Sequence, residues 1–176
     1  MGRIFQRSVM VVVATILTMG APRSSSAQTS VPFDKLQPLA FLAGSCWKGT
    51  FAGRAVTDEH CFAWVYGGRF LRDRHVVRGD SLPYEGETTY AWDTQQKGIV
   101  YWYIALPGFY SHGNVDPSDG ALLFRDNLVT STPRQLRTTW RRSSADAYTV
   151  LVEEVTDGKS KELWSMVMRR FQPARE

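Results

Sequence analysis

Short stretches of alternating apolar and polar residues, separated by turn residues, fill most of this chain after residue 45. Strand-like runs occupy 88–92, 99–106, 121–125, 136–141, 148–153 and 163–171. Turn signals between the runs include Gly67-Gly68, Pro107-Gly108 and Asp157-Gly158. About nine or ten short strands with no second helical pattern predict an antiparallel meander. We predict an all-β fold, an antiparallel up-and-down β-barrel of about 8–10 strands, because closure removes the exposed sheet edges. A two-sheet sandwich is the alternative.

One short helix is predicted before the strands, over residues 35–43. Asp34 is placed to cap it, and Gly44 is placed to end it. The apolar positions fall on one face of such a helix, at Leu36, Leu39, Ala40 and Ala43.

The first 27 residues have the layout of a secretory signal peptide. Arg3 and Arg7 precede an apolar run from Val9 to about Ala21, and Ser25-Ser26-Ala27 offers small residues at a cleavage site. The run is too short to span a bilayer, so no stable membrane anchor is expected after cleavage. We predict a signal peptide over 1–27, a tether over 28–33, a single barrel domain over 34–176, and a periplasmic or secreted location.

Removing the predicted signal peptide changes the charge of the chain. The full sequence has 21 Lys and Arg against 17 Asp and Glu, and three of its arginines precede Ala27. The remaining 18 basic and 17 acidic residues leave a net charge of +1. This balance argues against nucleic acid as a partner. The aromatic residues, by contrast, nearly all remain, with Phe5 as the exception.

The two cysteines, Cys46 and Cys61, fit opposite positions of one β-hairpin. A turn at Gly53-Arg54 pairs them with each other, and it also pairs Lys48 with Glu59. An oxidising compartment then favours a disulfide over two reduced cysteines on one sheet face. A two-residue turn makes this a hydrogen-bonded pair, which suits a bridge poorly, so a bulge is an alternative.

A helix, a glycine and a tryptophan at the entrance to the first strand resemble the opening of calycin-type barrels. The residues are Leu36-x-x-Leu39-x-x-Leu42-x-Gly44-x-x-Trp47-x-Gly49. Within that group the chain is similar to nitrobindin-like proteins and to related bacterial domains of unknown function. The stretches at 67–72 and 86–93 resemble further corners of those proteins. The resemblance implies a lipocalin-like barrel with an interior cavity, and barrels of this size can hold one small ligand.

Nitrobindins hold haem through a histidine near the start of the last strand. The corresponding stretch here, 161–170, contains no histidine. We therefore predict no cofactor, and a haem-binding function of that kind is disfavoured.

Arg72 and Arg74 alternate with Asp73 and His75 along one predicted strand. If the arginines point inward, they suit the carboxylate or phosphate head of an amphiphile. We favour the other orientation, since unpaired buried arginines are rare. Asp73 and His75 then line the cavity.

Further ligand-binding candidates come from the aromatic load and the remaining histidines. They are Trp47, Tyr66, Tyr90, Trp102, Tyr110 and His112. The apolar stretch 106–113 is either a lid over the barrel mouth or a packed turn. None of the three histidines has a second histidine or cysteine at metal-ligand spacing, so no metal site is predicted. Glu85 and Glu87 share a strand face and are taken as a solvated pair rather than an acid–base pair.

These features predict an exported protein that binds a small apolar or amphipathic molecule in a barrel cavity. A hydrolase or isomerase that uses His75 or His112 with a carboxylate is the alternative from another class. A third hypothesis is an interaction protein whose aromatic outer surface forms a homodimer.

Overall fold

The computed structural model describes residues 33–79, 83–129 and 134–173, with the side chains of 126–129 left out. The predicted signal peptide and all of the tether except Phe33 lie outside the described residues. No helix in the described part of the chain is long and apolar enough to cross a membrane.

Ten antiparallel strands form one closed barrel, which confirms the predicted all-β barrel rather than the sandwich. Each strand pairs with its neighbours in the chain, and β1 closes the ring on β10. The strands are β1 (Ser45–Thr50), β2 (Thr57–Val65), β3 (Phe70–Arg78), β4 (Tyr84–Asp93), β5 (Gly98–Ala105), β6 (Tyr110–Ser118), β7 (Ala121–Val129), β8 (Arg134–Arg142), β9 (Ala147–Thr156) and β10 (Lys159–Phe171).

The helix predicted over 35–43 is corrected to a shorter 3-10 helix, Asp34–Leu39. Pro38 lies inside it and lacks the N–H that an α-helix needs there. Turns with i to i−3 hydrogen bonds continue the segment, with Ala40 N donating to Gln37 O at 3.0 Å. Asp34 makes no side-chain cap, because the helix begins after Phe33.

The predicted β1–β2 hairpin and its disulfide are confirmed. Cys46 pairs with Cys61 in the expected register, and the two sulfurs are bonded. Phe51 N donates to Val56 O at 3.0 Å, so the turn covers four residues and not two. This shift makes the cysteines a non-hydrogen-bonded pair, whose shorter Cα separation, here 4.1 Å, suits a bridge without a bulge.

The segment before β1 closes one end of the barrel. Leu36, Leu39 and Leu42 are fully buried and belong to the same apolar core as Trp47. Trp47 Nε1 donates to Leu42 O at 3.2 Å, which fixes the segment against the start of β1. The strand ends at the other side of the barrel surround a cavity.

Candidate functional site

A cavity of about 340 Å³ lies inside the barrel, at the end opposite the 3-10 helix. This volume falls in the range of small-molecule sites. Its wall is largely apolar and aromatic. The lining includes Phe109, Phe124, Leu136, Trp140, Val150, Val152, Leu163, Trp164, Met166 and Met168.

The polar side of the cavity is built from two Asp-x-His pairs on adjacent strands. Asp58 and His60 lie on β2, and Asp73 and His75 lie on β3. Successive side chains of a strand alternate between faces, so the members of each pair share the inner face. His60 stands directly opposite His75 in the β2–β3 register. The topology therefore gathers two histidines and two carboxylates on one wall.

His60 is held by a carboxylate at each ring nitrogen. Its Nδ1 lies 2.7 Å from Asp73 Oδ2, and its Nε2 lies 3.1 Å from Asp58 Oδ2. Burial alone lowers the pKa of His60, but the charges and hydrogen bonds of Asp73 and Asp58 outweigh it and raise the pKa to about 10. The His60 ring is thus positively charged at neutral pH.

Asp58 completes this charge arrangement. Burial raises its pKa, yet the charge and hydrogen bond of His60 and the charge of His75 are stronger and lower the pKa below its usual value. The carboxylate is therefore ionised, although Asp58 is only 7% exposed.

His75 behaves differently from His60. Burial, and then the positive charge of His60, lower the pKa of His75, so its ring is neutral at neutral pH. Its Nε2 lies 3.0 Å from the hydroxyl of Tyr103, which lies 2.7 Å from the hydroxyl of Tyr84. Burial raises the pKa of both tyrosines, so each stays a neutral phenol.

Gly86 has no side chain, and the Tyr103 side chain occupies the space beside it to contact His75. Gly86 stands opposite His75 on β4. A Cβ at this position would lie 2.5 Å from the Tyr103 ring and 2.8 Å from the carbonyl oxygen of Ile104. Only glycine fits here without displacing that tyrosine.

Three of the predicted ligand-binding residues line the cavity, namely Asp73, His75 and Tyr90. The favoured orientation of β3 therefore agrees with the structure, with Arg74 exposed on the outer face. Among the residues that the structure describes, no cavity-lining arginine lies beside the two Asp-x-His pairs. Arg134 also lines the cavity, but its Nε donates to Glu154 Oε1 at 2.7 Å.

The other five predicted residues lie away from the cavity. Trp47 is buried in the core beneath the 3-10 helix. Tyr66 is exposed at the β2–β3 corner. Trp102, Tyr110 and His112 are exposed on the outer faces of β5 and β6, because strand alternation turns Tyr101 and Tyr103 inward instead. The predicted homodimer would use an outer face of this kind and stays a prediction.

In the turn at 106–109, Phe109 lines the cavity, whereas Leu106 is 57% exposed. Leu106 N donates to Glu85 O at 2.9 Å, and Gly108 N donates to Ala105 O at 2.9 Å. Glu85 is exposed and Glu87 is partly buried; neither lines the barrel cavity.

Sequence analysis missed Asp58, His60, Tyr84 and Tyr103. A usable signal was present: a turn centred on Gly67-Gly68 places His60 opposite His75 and brings both Asp-x-His pairs to one face. Tyr84 and Tyr103 carried no comparable signal, since their contacts depend on the β4–β5 register and on Gly86.

No family model and no curated protein matches this chain. Functional inference therefore rests on the barrel and its cavity.

Proposed function

We propose that this protein binds one small amphipathic molecule inside the barrel. The supporting observation is the cavity itself, about 340 Å³ with an apolar wall and a single polar side. Such a site buries the hydrocarbon part of a ligand and orients it through a few polar groups. The signal-peptide pattern and the disulfide support binding in a periplasmic or extracellular setting. The calycin-like, nitrobindin-like resemblance of the sequence is compatible with this function, without haem.

The polar side favours a neutral or cationic head group. Two carboxylates face one charged histidine, His60, while His75 is neutral, so negative charge is in excess. The hydroxyl groups of Tyr84 and Tyr103 add donors and acceptors beside them. An alcohol or amine head fits this chemistry better than a carboxylate or phosphate head.

A substitution that fills the cavity with a larger side chain tests the proposal. Val152 lines the cavity on β9, whereas Val167 is exposed on the outer face of β10. We expect Val152→Phe to weaken binding of a medium-chain alcohol or amine at least about tenfold, because the added ring occupies the ligand's space. The matched control Val167→Phe should bind as the unaltered protein does.

Isothermal titration calorimetry and native mass spectrometry provide the measurements, with the carboxylate of equal chain length as a third ligand. Equal binding by both variants would overturn the proposal of an interior site. Preference for the carboxylate would overturn the assignment of the head group.

A second candidate function, acid–base catalysis of the hydrolase or isomerase type, is favoured by His75. This neutral histidine lines the cavity, and a neutral imidazole can accept a proton from a bound molecule as a general base does. His60 is occupied at both nitrogens and would act only by orienting its neighbours. Turnover of ester or ketone substrates that is lost in His75→Gln and kept in His112→Gln would support this function.

A further inference from the structure

We propose that Asp58, His60 and His75 form a binding site for one divalent transition-metal ion, with zinc(II) or iron(II) as the fitting class. The inference rests on the geometry of the cavity wall and is independent of the amphipathic ligand proposed above.

The three residues already present their donor atoms to one point. One carboxylate oxygen and one nitrogen from each histidine lie within 4.8 Å of one another. Asp58 Oδ2 lies 3.1 Å from His60 Nε2, and Asp58 Oδ1 lies 3.8 Å from His75 Nδ1. Ligand atoms bound to a tetrahedral ion at about 2.0–2.1 Å are about 3.3 Å apart, so small side-chain rotations suffice.

The remaining nitrogen of each histidine has a partner of the kind found behind metal ligands. Asp73 Oδ2 lies 2.7 Å from His60 Nδ1, and the Tyr103 hydroxyl lies 3.0 Å from His75 Nε2. Such partners fix the ring orientation and the tautomer of a ligating histidine. They leave His60 Nε2 and His75 Nδ1 to face Asp58, and a bound ion would displace the Nε2 proton of His60 to solvent.

Asp58 supplies an independent observation. Its Oδ1 is buried and has no hydrogen-bond partner among the described residues, and the residue is only 7% exposed. A buried carboxylate oxygen without a partner is costly, and a bound cation would satisfy it.

Two imidazoles and one carboxylate are a donor set that suits zinc or non-haem iron. The three ligands line the cavity, so a further coordination position would be open to water or to a lone-pair donor on a bound molecule. This donor set is poor for calcium or magnesium, which prefer oxygen ligands.

The test is metal binding by the purified protein, without a polyhistidine tag and after treatment with a chelator. We expect one zinc ion per chain by inductively coupled plasma mass spectrometry after dialysis, and tetrahedral d–d absorption on addition of cobalt(II). Asp58→Asn and His75→Gln should each lose this binding. Tyr103→Phe keeps all three ligands and should weaken it by roughly 10–100-fold, as loss of an outer-shell partner does.

His112→Gln is the matched control, because His112 is exposed on the outer face of β6. It should bind zinc as the unaltered protein does, and circular dichroism will show that each variant is folded. Absence of stoichiometric zinc and cobalt binding would overturn the proposal, as would equal binding by folded His75→Gln. Binding of the alcohol or amine is measured separately in the absence of metal. Failure of the metal site can then be distinguished from failure of the proposed ligand-binding function.

Discussion

Three buried polar atoms have no hydrogen-bond partner among the described residues: Asp58 Oδ1, Asp73 Oδ1 and the Tyr148 hydroxyl. The two carboxylate oxygens belong to the polar side of the cavity. Tyr148 lies in the aromatic core, where its ring centroid is 5.1 Å from that of Trp47 and 5.4 Å from that of Trp140. Its hydroxyl is therefore buried without a hydrogen-bond partner among the described residues, which costs stability.

Replacing Tyr148 by phenylalanine should stabilise the protein. The change keeps the ring contacts and removes an unpartnered buried hydroxyl, so we expect the free energy of unfolding in urea to rise by about 1 kcal/mol. Tyr101→Phe is the control, since the Tyr101 hydroxyl lies 3.4 Å from Ser111 Oγ and its removal should not stabilise. A destabilised Tyr148→Phe would contradict the prediction.

The same residue should shape stability at alkaline pH. Burial raises the pKa of Tyr148 well above the ordinary value of 10, so the unfolded chain loses this proton first. The stability associated with the protonated phenol is complete below pH 10 and declines as the pH rises further. Urea unfolding between about pH 9 and 11 should show a smaller decline in stability for Tyr148→Phe. Identical declines would contradict the assignment to this tyrosine.

Removal of His60 should be among the most damaging single changes at the cavity. Its loss leaves Asp58 and Asp73 facing each other without the intervening positive charge. We expect His60→Ala to lower the free energy of unfolding by about 3 kcal/mol in the presence of a chelator. His112→Ala, at an exposed position, should change it by less than about 0.5 kcal/mol. Similar values for the two variants would count against a structural role for the His60 network.

At the scale of elements, hairpin registers decide which residues meet. The β1–β2 register was predictable because the cysteine pair and the Lys48–Glu59 charge pair both favoured it. The β2–β3 register, which contains the site, was not predicted, although a turn centred on Gly67-Gly68 leads to it. The predicted helix over 35–43 was too long. The apolar periodicity of this segment gives no sign that Pro38 lacks the N–H for one of the helical hydrogen bonds. The position of Tyr103 could not be predicted, since it needs the space beside Gly86.

The Cys46–Cys61 disulfide should stabilise the barrel without taking part in binding. It links residues 15 apart, and both side chains leave the strands on the outer face. The double variant Cys46→Ala/Cys61→Ala should lose about 2–3 kcal/mol of unfolding free energy, largely because the unfolded chain gains freedom. Its affinity for the alcohol or amine should match that of the oxidised protein under folding conditions. A large loss of affinity at unchanged fold would show that the bridge positions His60.

At the scale of the whole molecule, one pairing differs from the other nine. Every strand pairs with its chain neighbours, but β1 and β10 join the two ends of the barrel through only three residue pairs. Arg170 reinforces this β1–β10 pairing: it donates to Ser45 Oγ, 125 residues away, and its guanidinium lies 4.6 Å from the Trp47 ring centroid. A pairing between residues so far apart in the sequence slows folding, because a long loop must close before the contacts form.

Late formation of the β1–β10 pairing should be visible in kinetics. We expect Arg170→Ala to speed unfolding and leave the folding rate nearly unchanged, because contacts formed after the transition state act on unfolding. Arg137→Ala, which removes an ion pair with Glu153 between the sequential strands β8 and β9, is the comparison. Stopped-flow measurements in urea give both rates. Slower folding of Arg170→Ala would mean that the β1–β10 pairing forms before the folding transition state.

The placement of the tryptophans has an optical consequence. Trp140 and Trp164 line the cavity, whereas Trp102 is 52% exposed on the outer face. Iodide in solution should therefore quench the emission of Trp102 more strongly than that of Trp140 or Trp164. A molecule bound in the cavity should alter the emission of Trp140 and Trp164, which it would contact, and leave that of Trp102 unchanged. Intrinsic tryptophan fluorescence would then report occupancy of the cavity without an added label.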